Sequence, residues 1–156
     1  YGASKRYEHI KKGYNCRLDP VQAAVLKVKL NYIEKLNMRR KKIAKIYNSE
    51  LSKSNLILPH VSNKNSSSWH LYCIRSKNRN FLMEYLSKKG IETLIHYPIP
   101  PHLQKAYAHL GYRKGDFPIS EMLSEQLLSL PIDPFMTDEQ VIYVIEKIQE
   151  ALLENY

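Results

Sequence analysis

Glycine and cysteine are scarce in this chain: its 156 residues include five glycines and two cysteines. Neither a P-loop nor a G-x-G-x-x-G turn occurs, so the common glycine-rich phosphate-binding loops are excluded. The cysteines, Cys16 and Cys73, form no C-x-x-C pair and are too few for a disulfide framework or a structural zinc site. We expect both to be small buried side chains.

Long hydrophobic runs are missing as well. No apolar stretch approaches the roughly 18 residues that a membrane-spanning helix needs, and the N-terminal residues lack the apolar core of a signal peptide. The chain does not begin with Met, and it opens like the middle of a longer polypeptide. We therefore expect a cytoplasmic protein without membrane contact, truncated from a longer chain.

Catalytic and metal-binding motifs are also absent. The six histidines form no H-x-x-x-H or H-E-x-x-H pattern, so no metal site is expected. No serine or cysteine stands in a nucleophile elbow. The sequence thus predicts no self-contained catalytic centre.

The net charge of +9 is unevenly distributed. Residues 1–50 contain 13 basic and 4 acidic side chains, residues 51–105 contain 8 and 2, and residues 106–156 contain 3 and 9. The basic part can serve anionic ligands, face an acidic partner or be only solvated, and charge alone does not choose. The densest basic run, residues 39–45, lacks the aromatic or glycine-rich signature of a nucleic-acid interface. A nucleic-acid-binding module is therefore a remote alternative.

The first predicted helix is unusually long. Asp19 is a good N-cap, Pro20 suits the first helical position, and Gln22 can complete a capping box. Apolar residues then recur with helical spacing, and no Gly or Pro interrupts them before Pro59. A helix from residue 20 to near residue 50 would be about 45 Å long. Since a small domain needs less, we expect part of it to pack on another domain or a second subunit.

The remaining elements alternate between helices and short strands. We predict strands over residues 69–75, 91–96 and 129–132, and helices over 78–89, 103–110, 119–128 and from 137 onward. Asn78 and the Thr137–Gln140 capping box start two of these helices, and Gly90 ends one. The pattern predicts an α+β fold with a small antiparallel sheet of about three strands covered by helices.

Two segments are rich in groups that bind ligands. In residues 13–19, Asn15 and Arg17 could hold a phosphate through an amide and a guanidinium, although a plain helix-capping loop explains the segment equally well. In residues 95–102, three prolines make a rigid strand exit that is predicted to aim His96, Tyr97 and His102 outward. A structural proline turn is the alternative there.

Four segments resemble one known family in order and spacing. Residues 13–24 (GYNCRLDPVQAA) are similar to the G-x-N-x-R-L-D-x-x-Q-A-A signature of the pyridoxal-phosphate (PLP)-dependent sugar aminotransferases of the DegT/DnrJ/EryC1/StrS family, which build amino sugars on nucleotide carriers. Residues 1–9 resemble the family's N-Y-G…K-Y-x-H segment, and residues 90–107 resemble its G-I-x-T…H-Y-P…H…Q-x-A-Y segment. Residues 128–136 resemble its L-S-L-P…P-x-M stretch.

The resemblance implies the C-terminal small domain of a fold type I transferase, with a larger N-terminal domain missing. Residues 1–19 would be an interface loop from the truncated large domain, and residues 20–156 the small domain with its long linking helix. Family members are dimers with active sites at the subunit interface, so a homodimer is implied. The cofactor-binding lysine of relatives lies upstream of the N-Y-G segment, so no catalytic residue is assigned.

The resemblance also implies site residues. Asn15 matches the asparagine that reaches the cofactor phosphate of the other subunit, and Arg17 matches the neighbouring arginine. His96, Tyr97 and His102 match the loop beside the nucleotide-sugar pocket. Tyr7 and His9 match the segment near the neighbouring site.

The implied reaction moves an amino group from an amino acid, taken to be glutamate, to a keto-sugar nucleotide. It would serve amino-sugar, cell-surface polysaccharide or lipopolysaccharide biosynthesis, with PLP as cofactor. The chain alone is expected to be inactive. The alternative is a catalytically inactive fragment that acts only as a folded, oligomerising module.

Overall fold

The computed structural model of the chain describes residues 3–5, 8–14 and 16–154. They divide into two compact units between Lys35 and Leu36. The predicted division into residues 1–19 and 20–156 is a different one and stays a prediction.

The first unit contains two short strands and a helix. Strand β1 (Ala3–Lys5) pairs antiparallel with β2 (Glu8–His9). Helix α1 (Pro20–Leu30) begins where predicted, because the Asp19 carboxylate accepts hydrogen bonds from the backbone N–H groups of Val21 and Gln22 at 2.8 and 3.3 Å. No residue of α1 is buried, and its valines and leucines are exposed.

The helix predicted over residues 20–50 is divided in two. α1 ends at Leu30, and after a turn at Asn31 and Tyr32 a second helix, α2, runs over Ile33–Glu50. At the turn, the N–H groups of Asn31 and Tyr32 bond carbonyls three residues earlier, at 3.2 and 3.0 Å, instead of four. Asn has weak helix propensity because its side chain competes for backbone partners, which favours an interruption here.

The second unit is a small antiparallel sheet covered by helices. Strands β3 (Tyr72–Arg75) and β4 (Leu127–Leu130) pair with Tyr72 opposite Leu130 and Arg75 opposite Leu127. A single bridge joins Ile57 to β3, and another joins Leu94 to β4. This confirms the α+β prediction with its small antiparallel sheet.

Three further helices belong to this unit, namely α3 (Arg79–Lys88), α4 (Pro118–Gln126) and α5 (Asp138–Glu154). The segment predicted as a helix over residues 103–110 is instead two 3₁₀ turns, Pro101–Leu103 and Lys105–Leu110. Gly90 has φ = 76° just after α3, and the Ile91 N–H bonds the Leu86 carbonyl at 2.9 Å. This is the glycine helix end that the sequence predicted.

One core holds this unit together. The second half of α2 contributes Ile43, Ala44 and Tyr47, which are at most 1% exposed. The other residues of at most 1% exposure are Leu51, Tyr72, Ile74, Leu82, Leu86, Leu128, Val141, Ile148 and Ala151. The Tyr47 hydroxyl donates to the Pro131 carbonyl at 2.8 Å, and burial raises the pKa of this phenol.

Two further expectations were wrong. Residues 91–96 make no full strand, because only Leu94 bridges to β4. The cysteines are not both buried: Cys16 is exposed and Cys73 is half-buried.

Among the described residues, no helix is both long and apolar enough to cross a bilayer.

Candidate functional site

His96 lies against the small sheet of the second unit. Its Nδ1 is 2.9 Å from the Ser129 hydroxyl oxygen, which is in turn 3.2 Å from the Cys73 sulfur. The three side chains thus form a short hydrogen-bonded chain across β3 and β4. The His96 ring is half-buried, so it is neither enclosed in the core nor fully in solvent.

Two cavities meet at His96. The smaller, about 590 Å³, is lined mainly by apolar side chains of the proline-rich residues 95–102 (the proline loop), of α4 and of the position just before α4. Ile99, Leu123 and Phe117 are examples. The larger, about 950 Å³, is bordered by residues 90–94, the end of β4 and the start of α5. His96 borders both cavities, and each is within the size range of small-molecule sites.

Tyr97 lines the smaller cavity. Its side chain is 71% exposed, and its ring meets the His96 ring edge to face at 5.8 Å between centroids. The outward orientation predicted for Tyr97 is therefore present. Together the two rings offer an apolar surface with polar tips, which is typical of a binding wall.

His102 does not point outward as predicted. Its side chain is 7% exposed, and Nε2 lies 3.0 Å from Oε1 of Glu121, which is 11% exposed. The same carboxylate oxygen accepts the Gly115 N–H at 2.8 Å. The Gly115 bond first, and His102 after it, lower the pKa of Glu121. Through its contact with Glu121, His102 connects the proline loop to α4.

The predicted phosphate loop belongs to the first unit and is described in part. Asn15 and Tyr7 lie outside the described residues, and of His9 only the backbone, in β2, is described. Arg17 is exposed in the loop before α1. Asp19 already binds the amides at the start of α1, so a phosphate here would meet the Arg17 guanidinium rather than the helix N-terminus. The donor chemistry of this loop fits a phosphate group.

Sequence reasoning missed two residues of this site, Ser129 and Glu121. The Leu128–Ser129–Leu130 alternation carries a signal for the first, since it sets one hydroxyl between two core leucines. For Glu121 no local signal exists, because its partner His102 is 19 residues away. Within the described ranges, no group of three or more His, Cys, Asp or Glu side chains is placed to hold a metal ion.

The chain that carries this site matches a known protein family. Residues 1–149 match the model of the DegT/DnrJ/EryC1/StrS aminotransferase family. The chain belongs to this family.

Relatives within the family include named sugar transaminases. The chain is 44% identical over 148 residues to dTDP-3-amino-3,6-dideoxy-alpha-D-galactopyranose transaminase of Aneurinibacillus thermoaerophilus, covering 95% of this chain and 40% of the relative. It is 39% identical to S. venezuelae DesV, solved in complex with a ketimine intermediate, with a TM-score of 0.90 over 96% of this chain and 41% of that one. It is 26% identical to NtdA from Bacillus subtilis with bound cofactor PMP, with a TM-score of 0.83 over 96% and 36%.

The chain spans about 40% of the length of these relatives. Their structures confirm the fold prediction.

Proposed function

We propose that this chain is the small-domain part of a PLP-dependent aminotransferase that aminates a keto-sugar bound to a nucleotide, with an amino acid such as glutamate as donor. The observation that carries the proposal is the family match over residues 1–149. Its relatives include a transaminase of a dTDP-linked sugar. The reaction would take place in the cytoplasm and supply amino sugars for polysaccharide or lipopolysaccharide.

His96 and Tyr97 are the residues of the second unit that we assign to the nucleotide sugar. His96 borders two cavities, and Tyr97 presents an exposed ring beside it. A sugar offers hydroxyl groups for the free imidazole nitrogen, and aromatic faces pack well against sugar or base rings. The basic excess over residues 1–105 would attract the diphosphate of such a substrate.

Asn15 and Arg17 are assigned to the cofactor phosphate, and Tyr7 and His9 to the neighbouring site of a homodimer. The exposed Arg17 guanidinium supports the first assignment, since guanidinium groups bind phosphate oxygens with two parallel hydrogen bonds. When bound, PLP supplies the electron sink for the amino transfer. The residues of this chain would hold its phosphate and orient the substrate.

His102 has a different role in this proposal from the one implied by the resemblance. Because it binds Glu121 inside the unit, it would hold the proline loop in place rather than touch the sugar. Phe117 packs against the His102 ring at 4.8 Å between centroids, so it supports the same loop from the cavity side. These contacts would fix the position of the loop that carries His96 and Tyr97.

The lysine that binds the cofactor would come from polypeptide outside this chain, since the chain spans about 40% of its relatives. By itself the chain would be inactive. The second unit has its own core, which also suits the alternative of a folded module without catalysis.

The test is amination by the complete polypeptide to which this chain belongs. The enzyme is incubated with PLP, glutamate and a dTDP-linked keto-sugar, and the nucleotide sugar is analysed by mass spectrometry. We expect the carbonyl to be replaced by an amino group, with 2-oxoglutarate as co-product, and no conversion by the 156-residue chain alone. Failure of the complete enzyme to aminate any nucleotide-linked keto-sugar would sink the proposal, and conversion by the chain alone would contradict its inactivity.

A further inference from the structure

Ser129 has a fixed place in the small sheet. It lies opposite Cys73 of β3, and on its other side it exchanges two backbone hydrogen bonds with Leu94, of 3.3 and 2.8 Å. A residue paired on both sides has little backbone freedom. The position of its hydroxyl oxygen is then set by a single side-chain rotation.

The Ser129 side chain lies on the sheet face opposite the core. Its neighbours Leu128 and Leu130 are 0% and 3% exposed core residues, and successive side chains of a strand point to opposite faces. Ser129 therefore shares the other face with its cross-strand neighbour Cys73. Although Ser129 is only 6% exposed, it borders the larger cavity.

The Ser129 hydroxyl engages one of the two ring nitrogens of His96. Leu94 bridges directly to Ser129, and His96 follows two residues later, so its ring reaches the serine side chain. The contact is made by Nδ1, at 2.9 Å. With Nδ1 engaged, Nε2 is the nitrogen that remains to bind a ligand in the cavities.

We propose that Ser129 is a positioning residue for His96: its hydroxyl holds the imidazole so that Nε2 faces the cavities where the substrate binds. This rests on the proposed function, in which His96 contacts the nucleotide sugar. A ring with one nitrogen hydrogen-bonded has fewer rotamers, so less ordering is needed when a ligand binds. Cys73, 3.2 Å beyond Ser129, completes the chain of contacts.

Nitrogen-15 NMR of the histidine rings in the 156-residue chain tests this positioning. His60 and His109 are exposed and serve as internal references. In the wild-type chain we expect the His96 Nδ1 shift to differ from both references because of its serine partner. In Ser129→Ala that difference should be lost, and Ser129→Thr, which keeps a hydroxyl on the same carbon, should restore it.

The matched control is Ser124→Ala. Ser124 is a similarly buried serine, 8% exposed, but its hydroxyl donates to the Glu121 carbonyl and not to a histidine. This variant should leave the His96 shift unchanged. The proposal is overturned if the wild-type His96 shift already coincides with those of His60 and His109, a comparison that needs no variant to fold. It is also overturned if Ser129→Ala leaves the shift in place.

The NMR outcomes do not depend on the presence of a substrate, so they are separate from the test of the proposed function. If the NMR result holds while His96→Ala leaves the KM of the complete enzyme for its sugar nucleotide unchanged, the assignment of His96 to the sugar fails, and the serine–histidine contact stands. If His96→Ala raises that KM but the NMR effect is missing, the positioning role of Ser129 fails, and the assignment of His96 to the sugar stands.

Discussion

Arg79 is a buried polar side chain of the second unit whose hydrogen bonds are identified. Arg79 is 9% exposed, and one of its terminal nitrogens donates to the carbonyls of Ser124 and Leu127 at 3.3 and 3.2 Å. These carbonyls lie at the C-terminal end of α4, where intrahelical partners run out. A buried guanidinium is tolerated where its own N–H groups are hydrogen-bonded, as two of the Arg79 nitrogens are here.

Glu121 gives the site a predictable dependence on pH. Its pKa is lowered by the Gly115 N–H bond and by His102, so its ionised form is stabilised in the folded state. This contribution is complete above the ordinary pKa of a glutamate and is lost as pH falls through the lowered value. We therefore expect the Gly115 N–H bond to weaken at acid pH.

The measurement is the Gly115 amide proton shift as a function of pH. The wild type should show a transition below the usual glutamate range, and Glu121→Gln should remove it because the amide does not ionise. Glu125→Gln, an exposed change on the same helix, is the control and should keep the transition. A wild-type Gly115 shift that stays flat through this range would refute the account.

Helix ends are where the sequence predicted most. Asp19 caps α1, and Thr137 with Gln140 forms the reciprocal capping box of α5, with bonds of 2.9 and 3.2 Å. Both depend on residues two or three positions apart, so a local pattern contains them. Asn78 stands at the predicted N-cap of α3, but its side chain makes no capping bond, and Ser76 accepts the Asn78 N–H instead.

Pairing between distant segments was predicted less well. The β-branched residues Ile91, Thr93 and Ile95 favour a strand, yet of residues 91–96 only Leu94 pairs with β4. His102 was expected to face solvent, and its inward position depends on Glu121 and Phe117. Such contacts are set by tertiary packing, which local propensity does not determine.

Two interactions of different strength stabilise the start of α5. Thr137 caps the helix, while Asp138 pairs with Arg39 and Lys42 of α2 at 2.6 and 2.8 Å. We expect Thr137→Ala to destabilise the fold by about 1 kcal/mol, as measured by urea unfolding. Asp138→Asn should cost less, because its carboxylate is 48% exposed and therefore screened.

Salt separates the two effects. Raising the salt concentration should reduce the loss of unfolding free energy caused by Asp138→Asn, because that variant removes a pairing of charges. The loss of unfolding free energy caused by Thr137→Ala should stay nearly unchanged. An Asp138→Asn loss larger than that of Thr137→Ala, and independent of salt, would contradict this ranking.

The second unit has its own core, whereas helix α1 of the first unit has exposed apolar side chains. Along α1, Val21, Val25 and Val28 are exposed at helical spacing, and such a stripe is normally buried against another surface. That this surface is another domain or a second subunit stays a prediction. It agrees with a chain that spans about 40% of the length of its relatives.

The central claim is that His96 belongs to the wall of a nucleotide-sugar site, and steady-state kinetics of the complete enzyme test it most directly. The KM for the keto-sugar nucleotide is compared between wild type, His96→Ala and the control His109→Ala, which changes an exposed histidine away from the described cavities. Losing one ligand hydrogen bond, worth about 1.4 kcal/mol, should raise that KM about tenfold in His96→Ala. The KM for glutamate should change less, and His109→Ala should behave as wild type. Equal KM values for the sugar nucleotide in His96→Ala and wild type would contradict the account.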